Sequence, residues 1–310
     1  MHVNEVLGNA SSRPGAEVDF AIIHEDQAVA FTLDYSGETL KEGEEAYLQV
    51  AVLYTNMKGA RVVRVHNLAI PVTSSLVSIF KHADLETTTC VLKNLACRDI
   101  LQPKATFTKV RKAQIQKCVD ILEKYRRHCG PQTQASQGQL ILPESLKLLP
   151  LYTLAMLKSP ILRVNKPKQQ GAGPTGFGRR EVALSADDRA NFLLALGSMP
   201  VYISTIVVHP RLYNLTNLEE GDGLPEKSSG TLLADSLIQL PQPISPSAEK
   251  LDPSSIMLLD NGFELYLHIT RAPDPQQLLA LFGKETIEEC THLFRFVFYR
   301  KCRLFISQNS

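Results

Sequence analysis

Gly171, Gly173 and Gly176 stand at the spacing of a GxGxxG element, a pattern whose chemistry is the holding of a pyrophosphate by backbone amides at a helix N-terminus. The surroundings argue against it. Lys166-Pro167-Lys168-Gln169-Gln170 precedes the glycines where a buried strand is needed, Pro174 lies inside the element, and no βαβ unit encloses it. The eight histidines, His2, His24, His66, His82, His128, His209, His268 and His292, show neither HExxH nor HxH spacing, so no metal centre is expected. There is no GxSxG elbow. Cys129 beside His128 and Cys290 near His292 are at spacings that do not face each other on a helix. Glu219, Glu220 and Asp222 fall in a glycine-bearing loop, where a solvated turn explains them better than an acid–base pair. These residues point away from catalysis and toward a chain that presents surface.

Cations form the next candidate group. Lys109, Arg111, Lys112, Lys117, Lys124, Arg126 and Arg127 outweigh Asp120 and Glu123 along one stretch, which reads either as a solvated helix face or as a contact for anionic lipid or an acidic partner. Phe294-Arg295-Phe296-Val297-Phe298-Tyr299-Arg300-Lys301 alternates aromatics with cations; an edge strand, or a tail from altered splicing, fits it better than a stacking surface for single-stranded nucleic acid. The formal net charge of +1 supplies no global field that would make nucleic acid or an anionic membrane an obligatory partner.

The elements that position these residues follow from length and pattern. At 310 residues, with 44% hydrophobic and 21% charged, the chain has the composition of a soluble globular protein and room for two or three cores. Six cysteines without CxxC pairing read as buried thiols in a reducing compartment. The N-terminal residues lack a secretory signal, and the sequons at Asn9 and Asn214 are therefore discounted. The longest apolar run, Leu148 to Leu157, is interrupted by Pro150 and far short of the roughly 20 residues a spanning helix needs.

Between about residues 17 and 70 the hydrophobic period is two. Val18, Phe20 and Ile22 alternate, as do Val29, Phe31 and Leu33. A longer run through Tyr47 and Tyr54 meets the polar turn Thr55-Asn56-Met57-Lys58-Gly59 and returns as Arg61 to His66, giving part of an antiparallel sandwich. From Thr73-Ser74-Ser75, an N-cap signal, the period becomes helical. A helix is predicted over Phe107 to Cys129, with Ile115, Cys118, Val119 and Leu122 as its apolar stripe. A second is predicted over Leu140 to Lys158, beginning at Pro143 and kinked or broken at Pro150. Residues 164–180 read as a mobile loop, and Ser185 caps a helix that turns Phe192, Leu193 and Leu196 inward. Strands are expected again from Val201 to Val208. Ile256 to Leu259 and Phe263 to Ile269 form a hairpin about a tight primed turn at Asn261-Gly262, followed by a helix from about Pro273 to Phe282.

Read in order, several segments resemble the cargo-adaptor family of the COPII vesicle coat, on the branch of the animal C and D paralogues. They are the strand ending Leu53-Tyr54-Thr55, the return Arg61 to Ala69, Gln139 to Pro150, Asp187-Asp188-Arg189-Ala190, His209-Pro210-Arg211-Leu212-Tyr213 and the hairpin Ile256 to Leu267. The resemblance implies a multidomain α+β chain: an antiparallel β-sandwich portion over 1–72, an all-α helical domain over 73–200 with its loop at 164–180, and a gelsolin-like α/β domain over 201–310 that is truncated. It implies a non-enzymatic coat component that selects cargo for endoplasmic reticulum to Golgi transport. Its expected partners are the GTPase-activating coat subunit, sorting signals of membrane cargo, the coat's small GTPase indirectly and a membrane surface peripherally, with no nucleic acid. Its expected place is the cytoplasm, on COPII-coated vesicles and the cytosolic face of the endoplasmic reticulum membrane. The family's zinc ribbon and α/β trunk would precede residue 1, so no cofactor is expected and the chain reads as a fragment, a short isoform or an incomplete gene model. Where the family's hairpin ends in Trp-x-Gly, this chain has His268-Ile269-Thr270. Leu140, Leu142, Leu146 and Lys147 are the candidate cargo-binding residues, because a cation beside apolar side chains suits short peptide motifs; core packing is the competing account of the leucines. The GTPase-activating subunit of the coat and an actin-binding gelsolin-like module are the alternatives.

Overall fold

The computed structural model describes residues 2–13, 17–24, 26–35, 37, 39–129, 141–159, 161–163, 185–222, 239–247, 249, 252, 254–270 and 272–286, with the backbone of 301–306. The chain divides into two compact units, Met1–Ser204 and Thr205–Ser310.

The first unit opens with strands. β1 (His2–Leu7) pairs antiparallel with β4 (Ala30–Asp34), and the short β2 (Ser11–Ser12) with β3 (Val18–Asp19). The alternation expected through Phe20 and Ile22 forms no further strand, and Ile22 is 70% exposed. β1 was not anticipated, because a shift of register between Val3 and Glu5 blurs its period. β5 (Glu45–Thr55) and β6 (Arg61–Pro71) make the expected long hairpin, in unbroken antiparallel register from Glu45 opposite Pro71 to Thr55 opposite Arg61. Its turn is closed by Asn56, whose Oδ1 accepts from the Lys58 and Ala60 amides at 3.0 Å, and by Gly59 at φ +80°.

Among the described residues of this unit, five helices and one 3₁₀ turn follow. α1 (Leu76–His82) starts at Ser75, whose hydroxyl accepts from the Ser78 amide. α2 (Leu85–Leu101) is capped by Asp84, which accepts from the Thr87 amide at 2.7 Å. α3 (Phe107–Cys129) has the expected bounds. A 3₁₀ turn over Glu144–Leu146 precedes α4 (Leu149–Lys158), and Pro150 sits in the first turn of α4. The proline thus begins a new helix, where its missing N–H has no carbonyl to lose. α5 (Ala186–Gly197) is capped by Ser185, with Asp187 and Asp188 in its first turn.

α2 is the axis of this unit. Cys90, Leu92, Lys93, Asn94, Ala96 and Cys97 are all buried, since α2 packs against α3, α4, α5 and β1. A core of Leu92, Cys118, Leu146 and Leu149 joins it to α3, the 3₁₀ turn and α4, with Phe80, Ile121 and Leu122 around the edge. Phe80 meets Tyr125 edge to face at 5.0 Å.

Val201–Val208 is a helix, α6, and not the strand expected from its β-branched residues. Ile203 through Val208 are buried, so the segment is enclosed on nearly every side and carries no amphipathic period to reveal its helicity. Tertiary enclosure overrides local propensity here.

The second unit holds β7 (Arg211–Asn214), β8 (Ile256–Asp260), β9 (Glu264–Ile269), α7 (Pro275–Phe282) and β10 (Lys301–Ile306). Their sheet has the order β10-β9-β8-β7, with β10 parallel to β9 and the other pairs antiparallel. Ile256, Leu267 and Ile269 form its core with Leu278 of α7, and Leu215, Leu258 and Phe282 pack around them. The β8–β9 register places Asp260 opposite Leu265, and Asn261 donates to the Glu264 carbonyl, so the two central turn residues are Gly262 and Phe263. The turn is one residue later than expected. Gly262 alone has positive φ, +83°, the sign pattern of a type II′ turn. Asn261 contributes its side chain, whose Oδ1 accepts from the Phe263 and Glu264 amides. β10 is an edge strand, although most of the aromatic and cationic stretch named above lies outside the described residues.

Candidate functional site

Pro143 adopts φ −66° and leads into the 3₁₀ turn, after which Leu148 and Pro150 start α4. This geometry sorts the four candidate binding residues. Leu140 lies outside the described residues. Leu142 is half-buried. Leu146 is 3% exposed in the core with Leu92, Cys118 and Leu149, so its side chain is packing and offers no surface. Lys147 is exposed and ion-paired to Glu144, one turn back.

α4 buries Leu149, Thr153, Met156 and Leu157. Its outer side presents Leu151 and Leu154, 45% and 47% exposed, with Lys158 beyond them. Leu151, Leu154 and Lys158 follow one another at i, i+3 and i+7 of α4, within roughly 60° of helical arc, and Lys147 lies just before the helix at the end of the 3₁₀ turn. Sequence reasoning missed Leu151, Leu154 and Lys158 because it counted the helix from Pro143. Counting from Pro150 separates the two faces.

On α3 the buried positions are Val110, Gln114 and Cys118, not the stripe through Ile115 and Val119. Those two are 46% and 48% exposed. Gln114 is wholly buried, so a polar residue occupies the core line and an apolar pair lies outside it. The cations divide as well. Arg111 donates to the Leu162 carbonyl at 2.9 Å and to the Leu157 carbonyl, tying α3 to the end of α4. Lys117 lies 3.5 Å from Asp99, which also pairs with Arg98, and Arg127 pairs with Glu123. Lys109, Lys112, Lys124 and Arg126 remain exposed.

Lys93 is 1% exposed. Its ammonium donates to the Leu196 carbonyl at 2.5 Å and to the Ser204 hydroxyl at 2.7 Å, fastening α2 to the end of α5 and the start of α6. Burial lowers its pKa below the ordinary lysine value, opposed by the neighbouring Cys90 and Cys97. Cys90, Cys97 and Cys118 are free and buried. The side chains of Cys290 and Cys302 lie outside the described residues.

No reactive constellation assembles from these parts. Among the described residues no group of three or more His, Cys, Asp and Glu converges. Glu219 and Asp222 close a turn on each other, the Asp222 carboxylate accepting from the Glu219 amide at 3.0 Å, around Gly221 at φ +106°. The glycine pattern at 171–176 lies outside the described residues. No described helix is long and apolar enough to cross a membrane. What remains is exposed surface: the outer side of α4, the cations of α3 and the hairpin β5–β6.

Comparison with known proteins identifies the frame that carries this surface. Residues 1–73 match the Sec23/Sec24 beta-sandwich domain and residues 84–169 the Sec23/Sec24 helical domain, together about half of the chain. Protein transport protein SEC24 B of Arabidopsis thaliana is 32% identical over 290 residues, which are 93% of this chain and 23% of that protein. Human protein transport protein Sec24C is 30% identical over 275 residues, 89% of this chain and 22% of that protein. The crystal structure of the human COPII-coat protein Sec24c aligns with a TM-score of 0.75 at 25% identity, covering 99% of this chain and 39% of that one. This chain therefore spans less than a quarter of the length of the two relatives named. With both domains matched in sequence order, and the fold shared along almost its whole length, the chain belongs to the Sec23/Sec24 family.

Proposed function

We propose that this chain acts as a non-enzymatic part of the cargo-selecting subunit of the COPII coat, presenting surface for transport from the endoplasmic reticulum to the Golgi. The observation that carries the reading is the alignment with SEC24 transport proteins through both units, over about nine-tenths of the chain. The exposed distribution of its cations and leucines is that of a binding scaffold. Its partners under this reading are the GTPase-activating subunit of the coat and sorting signals of membrane cargo. The small GTPase would be met indirectly and the cytosolic face of the membrane peripherally. The chain would need no cofactor.

Lys147 is the residue proposed to meet a sorting signal, with Leu142 beside it. Its ion pair to Glu144 is fully on the surface and is worth little, so an incoming carboxylate can replace Glu144. Co-purification with the GTPase-activating coat subunit, compared with sedimentation on filamentous actin, tests the assignment. Capture of the coat subunit and none of actin is the expected result; the reverse would make this an actin-binding module. If Lys147→Glu leaves capture of every sorting-signal peptide intact, the residue assignment falls while the coat reading stands.

A further inference from the structure

The outer side of α4 is built in the opposite sense from a solvated helix face. Where solvent favours charge, it carries Leu151 and Leu154 side by side, with Lys158 in its last turn and Lys147 just before its first. Leu148 adds a third exposed apolar side chain at the same end as Lys147, 43% exposed. The opposite side already packs into the core through Leu149 and Met156, so no rotation of the helix can bury Leu151 and Leu154 without exposing those residues. We infer that this stripe is a docking site for a partner segment whose two apolar residues lie between acidic residues. Charge complementarity chooses that occupant. A purely apolar partner would make no use of the Lys158 charge, or of Lys147, whose exposed pair to Glu144 an incoming carboxylate can replace.

The inference rests on reading the chain as a surface-presenting adaptor and assigns that reading a specific site. Leu151 and Leu154 supply apolar contact, while the lysine stems extend it and their heads set register and orientation. The contact is small, as in transient recognition of short signals, and most of its energy comes from a few side chains.

The test uses the 310-residue chain and a dye-labelled twelve-residue peptide with glutamate at positions 1 and 12, leucine at 5 and 8, and alanine or glutamine elsewhere. Saturable binding is expected. It should weaken at least about tenfold, or about 1.4 kcal/mol, in Leu151→Ser/Leu154→Ser and in Lys147→Glu/Lys158→Glu, without a change in thermal melting. The charge-reversed variant should bind a peptide with lysine at both ends, a swap that a folding defect cannot produce. A wild-type chain that shows no saturable binding would overturn the proposal. So would either double variant binding normally, or an equal loss in Lys109→Glu/Lys112→Glu on α3. Loss of phosphatidylserine vesicle binding in the α4 variants with peptide binding intact would assign the site to lipid and overturn it too. Co-purification with the coat's GTPase-activating subunit is measured on the same proteins. Its absence with peptide binding intact would overturn the coat reading and leave this site in place.

Discussion

Burial holds the Lys93 ammonium below the ordinary lysine range, and both of its oxygen partners, the Leu196 carbonyl and the Ser204 hydroxyl, are neutral. Between the lowered folded value and the ordinary one, the unfolded chain binds more protons than the folded chain, so the lysine's contribution to stability rises with pH across that window. Cys97 acts in the opposite direction. Its thiol is pushed up to about 11 by burial, so its contribution is lost as pH climbs past the ordinary thiol value. The difference between wild type and Lys93→Met reads the lysine together with its coupling to Cys90 and Cys97. Urea midpoints at pH 7 and pH 10 should show wild type gaining on the variant at the higher pH, and an unchanged difference would refute the assignment. The sequence concealed this residue because a lysine on a helix reads as exposed. Leu146 was concealed in the other sense: it sits beside an exposed lysine, yet its neighbour in space is Leu149 of the core.

Two elements of hairpin type make contrasting demands. In β8–β9 the turn depends on Gly262 at φ +83°, a conformation in which a Cβ meets its own backbone. Gly262→Ala should cost about 1–2 kcal/mol in urea titration with an unchanged denaturant slope. In β5–β6 the difficulty is exposure. Leu53 and Val63 face each other across the ladder at 56% and 60% exposed, and Tyr47 on the same face is 72% exposed. A two-stranded ribbon with this much apolar surface is prone to associate. Leu53→Thr/Val63→Thr should raise the monomer fraction in sedimentation velocity while moving stability by no more than about 0.5 kcal/mol. Periodicity read both hairpins because two-fold alternation is local. On α3 it identified the helix and half of its stripe, Cys118 and Leu122, which meet the core, while Ile115 and Val119 are apolar but exposed and Gln114 is polar but buried. A hydrophobic stripe reports the core only when the core is what each apolar side chain meets.

Each of the two units has its own core, around Leu149 in Met1–Ser204 and around Ile256 in Thr205–Ser310. Leu149→Ala and Ile256→Ala remove fully buried side chains and should each cost about 2–5 kcal/mol. Calorimetry should resolve more than one transition, with each substitution lowering only the one belonging to its unit. A single transition displaced equally by both would join the cores into one cooperative structure. The order of strands, then helices, then strands with a helix, the break at Pro150, and the caps at Ser75 and Ser185 were all determined by the sequence alone. Each rests on backbone and side-chain preferences acting within a few residues. Only the tertiary structure decided that Val201–Val208 is a helix, that Lys93 lies inside and that Leu151 and Leu154 lie outside. Those outcomes depend on which surfaces meet across long separations in the chain, and no local pattern carries that information.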